Sequence, residues 1–138
     1  MKSLKYNELL QAYRPGRKGQ WQFGGMAYRL FEKIKPGSLI KFTWVSMYPG
    51  PHKSYRSDVS FLIGIPFRYT VDYVKLRLVA CSFNPSLDSR SRVTSEVPYR
   101  SLVVGIEIEQ LSIEDMPRYL NAFYKTKLFD KILMEGKV

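Results

Sequence analysis

A chain of 138 residues is long enough for one domain to bury a core without disulfides or metals. Its 45% apolar and 25% charged content excludes a disordered chain, and no run approaches the roughly 18–20 apolar residues of a membrane span. The formal charge of +10 points to an anionic partner, and a single cysteine, Cys81, excludes an intramolecular disulfide.

The opening segment MKSLKYNELLQAY lacks the apolar core of a signal peptide. A cytosolic location, or the interior of a virus-infected cell, is therefore expected. Tyr6, Leu9, Leu10 and Tyr13 recur at helical spacing and predict a short amphipathic helix over 4–13, closed by Pro15-Gly16. Residues 14–25 are Gly-rich and basic and read as a loop or arm. Ala27, Leu30, Phe31 and Ile34 predict a second helix, stopped by Lys35-Pro36-Gly37. From Ser38 to Tyr48 the pattern changes to period two, with Ile40, Phe42 and Trp44 on one face and Leu39, Lys41 and Thr43 on the other, as in a half-buried strand. Pro49-Gly50-Pro51 ends it, and 52–57 reads as a basic loop.

Asp58 to Ile65 predicts a buried strand stopped by Pro66. Tyr69 to Phe83 alternates again, with Val74, Leu76, Leu78 and Ala80 inward and Lys75 and Arg77 outward. Cys81 falls in that run and reads as a small buried hydrophobe. Asn84 to Glu96 is a polar loop centred on Arg90 and Arg92, and Tyr99 to Gln110 predicts a fourth strand with Glu107 and Glu109 on its outer face. Ser112 with Glu114 and Asp115 marks a helix start, and Leu120, Phe123, Tyr124 and Ile132 give an apolar stripe for one or two C-terminal helices.

These elements predict a single α+β domain over 1–138: a helical, basic arm at 1–35, a small antiparallel SH3-like or Tudor/KOW-like β-barrel or curled sheet at 36–111, and a C-terminal helix at 112–135. The run Pro36-Gly37-Ser38-Leu39-Ile40-Lys41-Phe42-Thr43-Trp44, the Asp58-led strand and Val104-Gly105-Ile106-Glu107-Ile108 together resemble small tailed-bacteriophage proteins with SH3-like barrels. The resemblance covers roughly three-fifths of the chain, and its proline departs from the pattern, since Pro66 follows the apolar strand instead of opening it. It implies a phage-encoded accessory or structural protein and transfers no catalytic residue.

Chemistry-bearing motifs are sparse. His52 is the only histidine, so a Cys/His zinc site within one chain is excluded. Asp72 and Lys75 are off by one residue for an acid-x-lysine nuclease strand, whereas Glu107 and Glu109 share a face and have the geometry to hold a divalent cation. No Walker A or dinucleotide fingerprint occurs, Gly24-Gly25 alone is weak, and the sequence implies no enzyme and no cofactor.

The charge is uneven. Residues 1–57 hold 11 Lys/Arg against 2 acids, residues 58–105 hold 6 against 4, and residues 106–138 hold 5 against 6. Arg14, Arg17 and Lys18 surround Trp21 and Phe23. Lys41 and Trp44 share a strand, and Tyr48, His52, Lys53, Tyr55 and Arg56 share a loop. Cations that neutralise phosphates, interleaved with rings that stack on bases, suit nucleic acid. The expected interface is Arg14, Arg17, Lys18, Trp21, Phe23, Lys41, Lys53, Tyr55, Arg56, Arg90 and Arg92. The alternative is a virion assembly protein or an adaptor whose basic arm engages an acidic protein. Homo-oligomerisation, and the choice between DNA and RNA, stay open.

Overall fold

The computed structural model describes residues 2–13, 24–83, 94–103, 106–119 and 124–138; within these, the side chains of 24–27, 46–48, 53, 55, 56, 103 and 117–119 are not described. The described elements run α1 (Tyr6–Ala12), α2 (Gly24–Phe31), β1 (Ile40–Pro49), a 3-10 turn (Pro51–Lys53), β2 (Tyr55–Tyr69), β3 (Tyr73–Cys81), β4 (Thr94–Pro98), α3 (Tyr99–Val103), β5 (Glu107–Gln110), a 3-10 segment (Ile113–Tyr119), β6 (Tyr124–Lys125) and α4 (Lys127–Glu135). None of the described helices is long and apolar enough to cross a membrane.

The strands form one antiparallel sheet in the order β4-β3-β2-β1-β5, with β6 also pairing β3. The α+β class is as expected, but the sheet is open, because its terminal strands β4 and β5 do not pair with each other. Its apolar rows are covered by packing on both faces, not by closure on itself. On the first face, Phe42, Leu62, Val74, Leu76 and Leu78 pack with Leu9 and Tyr13 of the α1 region, Phe31 and Ile34 of the α2 region, and Tyr99 and Leu102 of α3. On the second face, Phe61, Ile63, Val79 and Ala80 pack with Leu111, Met116, Phe129 and Ile132. Each large apolar side chain buried this way contributes about 1.5–3 kcal/mol relative to exposure.

Tyrosines tie α1 and the turn after α2 to the sheet. Tyr13, Phe31 and Tyr99 meet with ring centroids 4.6–5.5 Å apart. The Tyr69 hydroxyl donates to the Ile34 carbonyl at 2.6 Å, that of Tyr6 donates to the Glu32 carbonyl at 2.8 Å, and that of Tyr13 donates to the Val71 carbonyl. Ring burial and a satisfied hydroxyl are what make tyrosine useful at a helix–sheet seam. The Tyr99 hydroxyl differs: it is buried beside the Thr70 backbone and makes no hydrogen bond of ordinary geometry there.

Several expected boundaries are corrected. Pro66 does not stop its strand, since β2 continues to Tyr69. The Pro66 carbonyl accepts from the Gly37 N–H at 3.3 Å, so the proline nitrogen also faces the side where β1 has not yet begun and no ladder donor is required. Gly37 itself has a φ of +76°, which favours glycine in that turn. The expected strand at 99–110 is instead α3 followed by β5. Tyr99 and Leu102, three apart, both reach the first-face core, and a helical turn satisfies that spacing where a strand cannot. The expected loop at 84–96 gives up Thr94–Glu96 to β4, which pairs with β3. Residues 112–135 are not one helix but a 3-10 segment, the short β6 and α4, so Tyr124 belongs to a strand; Leu120 and Phe123 lie outside the described residues.

Two bulges shape the sheet. Val79 has no partner across β2, and Phe67 has none across β3. The first moves Ala80, expected inward with Leu78, to the opposite face beside Val79. Thr126, just before α4, donates its N–H to the carbonyl of the unpaired Val79 at 3.0 Å and its hydroxyl to the Leu78 carbonyl at 2.8 Å. Cys81 is fully buried, as expected. Burial pushes its thiol pKa up, while its contact with the Phe83 carbonyl acts in the other direction.

Candidate nucleic-acid interface

Of the eleven residues expected at the interface, Arg14, Arg17, Lys18, Trp21, Phe23, Arg90 and Arg92 lie outside the described residues. Lys53, Tyr55 and Arg56 are placed by their backbone at the tip of the β1–β2 hairpin, and their side chains lie outside the description. Lys41 is the one whose side chain is described. It is half-buried on the second face, with its ammonium 5.4 Å from the centre of the Phe61 ring. It stands directly opposite Glu109, and Glu107 lies opposite the neighbouring Thr43. Burial pulls the lysine pKa down, and the two carboxylates work against that shift. Its charge is therefore answered inside the sheet, apart from the hairpin tip.

Trp44 is half-buried on the first face, 5.9 Å from the Phe83 ring. Both rings line a cleft of about 810 Å³ together with Phe42, Ile106, Ser95 and Arg100. Glu107 and Glu109 are exposed on β5, and no group of three potential metal ligands occurs among the described residues. Asp72 sits in the turn before β3, not on the strand with Lys75.

The structure instead assembles a cationic row on the second face. Residues directly opposite each other in an antiparallel pair share a face. Arg68 of β2 stands opposite Lys75 of β3, and Lys75 stands opposite Glu96 of β4. In the next row, Arg77 lies between Ile65 and Thr94. Lys125 of β6, opposite Ala80, continues the same face. Arg68 and Arg77 are exposed and Lys75 is half-buried. The bulged Phe67 is exposed, and the Arg77 guanidinium lies 5.7 Å from its ring centre.

The Arg68 Nε donates to the Ser3 hydroxyl at 3.0 Å, which fixes the guanidinium against the N-terminal segment. Lys75 faces Glu96 across β4 as Lys41 faces Glu109, whereas Arg68 and Arg77 have no carboxylate directly opposite them in the sheet. Like charges directly opposite each other cost stability in the free protein. The arrangement can take an anion across Arg68 and Lys75, with Phe67 offering a ring beside it.

Alternation along β3 places Lys75 and Arg77 outward but does not by itself gather this row. The x-Lys-x-Arg alternation was its visible signal. Reading Pro66 as a strand end hid Arg68, because only a strand that continues to Tyr69 places it opposite Lys75. Comparison with protein-family models, with curated proteins and with solved structures finds no match to this chain.

Proposed function

We propose that this chain is a non-enzymatic nucleic-acid-binding protein that takes the phosphate backbone on the second face of its sheet. The observation that carries the reading is the pairing of Arg68 with Lys75, next to Arg77 and the exposed Phe67. The excess of +10 over the whole chain supplies long-range attraction in the same sense. Phosphate contacts of this kind position a nucleic acid without reading its sequence, so binding is salt-sensitive and weakly selective.

The test is fluorescence anisotropy with single- and double-stranded DNA and RNA at low salt, on the parent and on R68A/K75A/R77A. Binding by the parent, weakened at least about tenfold in the variant, supports the reading. A parent that does not bind, or a variant that binds equally well, contradicts it.

One observation favours a second reading, in which the partner is an acidic protein or another virion component. Val45 and Val59 stand directly opposite each other and are 59% and 67% exposed, an apolar pair of the sort interfaces cover. Self-association in size-exclusion chromatography that V45S/V59S abolishes, with no nucleic-acid binding by the parent, favours that partner.

A further inference from the structure

β1 and β2 outrun the sheet. β5 pairs β1 only from Ile40 to Thr43, and β3 pairs β2 only from Leu62 onward. From Trp44↔Ser60 to Pro49↔Tyr55 the two strands pair only with each other among the described strands. Those six pairs make a two-stranded ribbon about 20 Å long at about 3.4 Å per residue.

The tip of the ribbon is braced. The Gly50 N–H donates to the Ser54 carbonyl at 2.7 Å, and the Ser54 N–H and hydroxyl both donate to the Pro51 carbonyl. A Cβ on Gly50 would meet the Ser54 Oγ at 2.8 Å, so the closure is tight. Pro49 and Pro51 flank the turn, and His52 adopts the left-handed region at φ 58°. A pre-ordered tip loses little conformational freedom on binding. Lys53, Tyr55 and Arg56 occupy this end of the ribbon, so its tip carries net positive charge.

We infer that this ribbon is an arm that enters the major groove of double-stranded DNA. That groove is about 12 Å wide and about 8.5 Å deep and admits a two-stranded ribbon. The corresponding groove of duplex RNA is deep and too narrow for side chains to read, so geometry selects DNA. Lys53 and Arg56 lie at the end that enters first, so positive charge goes into the groove with the tip. The inference rests on the nucleic-acid reading above. It is separable from it, because the ribbon and Arg68 lie at opposite ends of β2.

The experiment uses a DNA duplex of about 20 bp and a single strand of the same length at low salt. The parent is compared with a ribbon-shortened chain in which residues 47–57 are replaced by Asn-Gly, and with K53A/R56A. The readouts are affinity and the dimethyl sulfate reactivity of guanine N7, which lies in the major groove. The parent is expected to protect N7 at its site. The shortened chain is expected to lose protection and at least about tenfold in duplex affinity, with single-strand affinity and cooperative thermal unfolding retained.

Duplex binding by the parent with N7 left fully reactive overturns the arm and leaves the cationic row standing. So does a shortened chain that binds and protects as the parent does. A parent that binds neither probe overturns both. If the shortened chain fails to fold, K53A/R56A decides: retained affinity and protection overturn the arm, and their joint loss supports it.

Discussion

Tyr69 and Tyr99 belong to one aromatic cluster, yet their hydroxyls have opposite consequences. The Tyr69 hydroxyl satisfies the Ile34 carbonyl, so Tyr69→Phe leaves a buried acceptor unpaired and is expected to cost about 1–2 kcal/mol. The Tyr99 hydroxyl is buried without a proper partner, so Tyr99→Phe is expected to leave stability unchanged or raise it. Urea midpoints of the two variants check the contrast, and equal losses would contradict it. The tyrosines also set a pH dependence. Burial pushes the Tyr6 phenol up to about 12 and raises those of Tyr13, Tyr69 and Tyr99. Above about pH 10 the unfolded chain loses phenolic protons that the folded chain keeps, so stability falls as pH rises. For Tyr6 the contribution is whole below pH 10 and gone by about 12. Melting temperatures from pH 8 to 12 should decline from about pH 10 onward, and a flat profile would contradict the assignment. At this scale much was legible: the inward residues of β3 up to Leu78 follow from periodicity, and the burial of Cys81 from its residue type and its place in an apolar run. Lys41 was not, because the acids that answer it belong to β5, far along the chain.

Among the elements, the bulge between β2 and β3 brings backbone close to Gly64. A Cβ there would lie 2.9 Å from the Arg77 carbonyl oxygen and 3.0 Å from the Leu76 Cβ, and the carbonyl has nowhere to retreat within a ladder. Gly64→Ala is expected to destabilise by about 1–3 kcal/mol, read as a lower urea midpoint with an unchanged slope. Wild-type stability in that variant would show that the strands are not so close. Bulges also explain what periodicity missed. A strict alternation sends Ala80 inward, and only the unpaired Val79 reverses it. The helix α3 was hidden because Leu102, Val104, Ile106 and Ile108 alternate as a strand would, while Tyr99 and Leu102 fit a helical turn equally well. Packing against Tyr13 and Phe31 decides between them. β4 was missed because Thr94-Ser95-Glu96 is polar. Its hydrogen bonds to β3 and the single inward Val97 place it in the sheet.

Over the whole molecule, the α+β class and the antiparallel pairing were legible, whereas closure was not, since the second-face helix α4 covers an open sheet as well as another strand layer would. The excess positive charge was legible as a total, but its described geometry depends on strand register, which composition does not contain. Part of it lies in a cationic row at one end of β2 and part at the ribbon tip at the other. The row is the central claim, and the salt dependence of binding tests it most directly. For a duplex probe the slope of log affinity against log salt is about −0.9 per phosphate contact, so R68A/K75A/R77A should flatten the parent slope by about 2 to 3. An equal slope in parent and variant would mean that no phosphate rests on Arg68, Lys75 and Arg77.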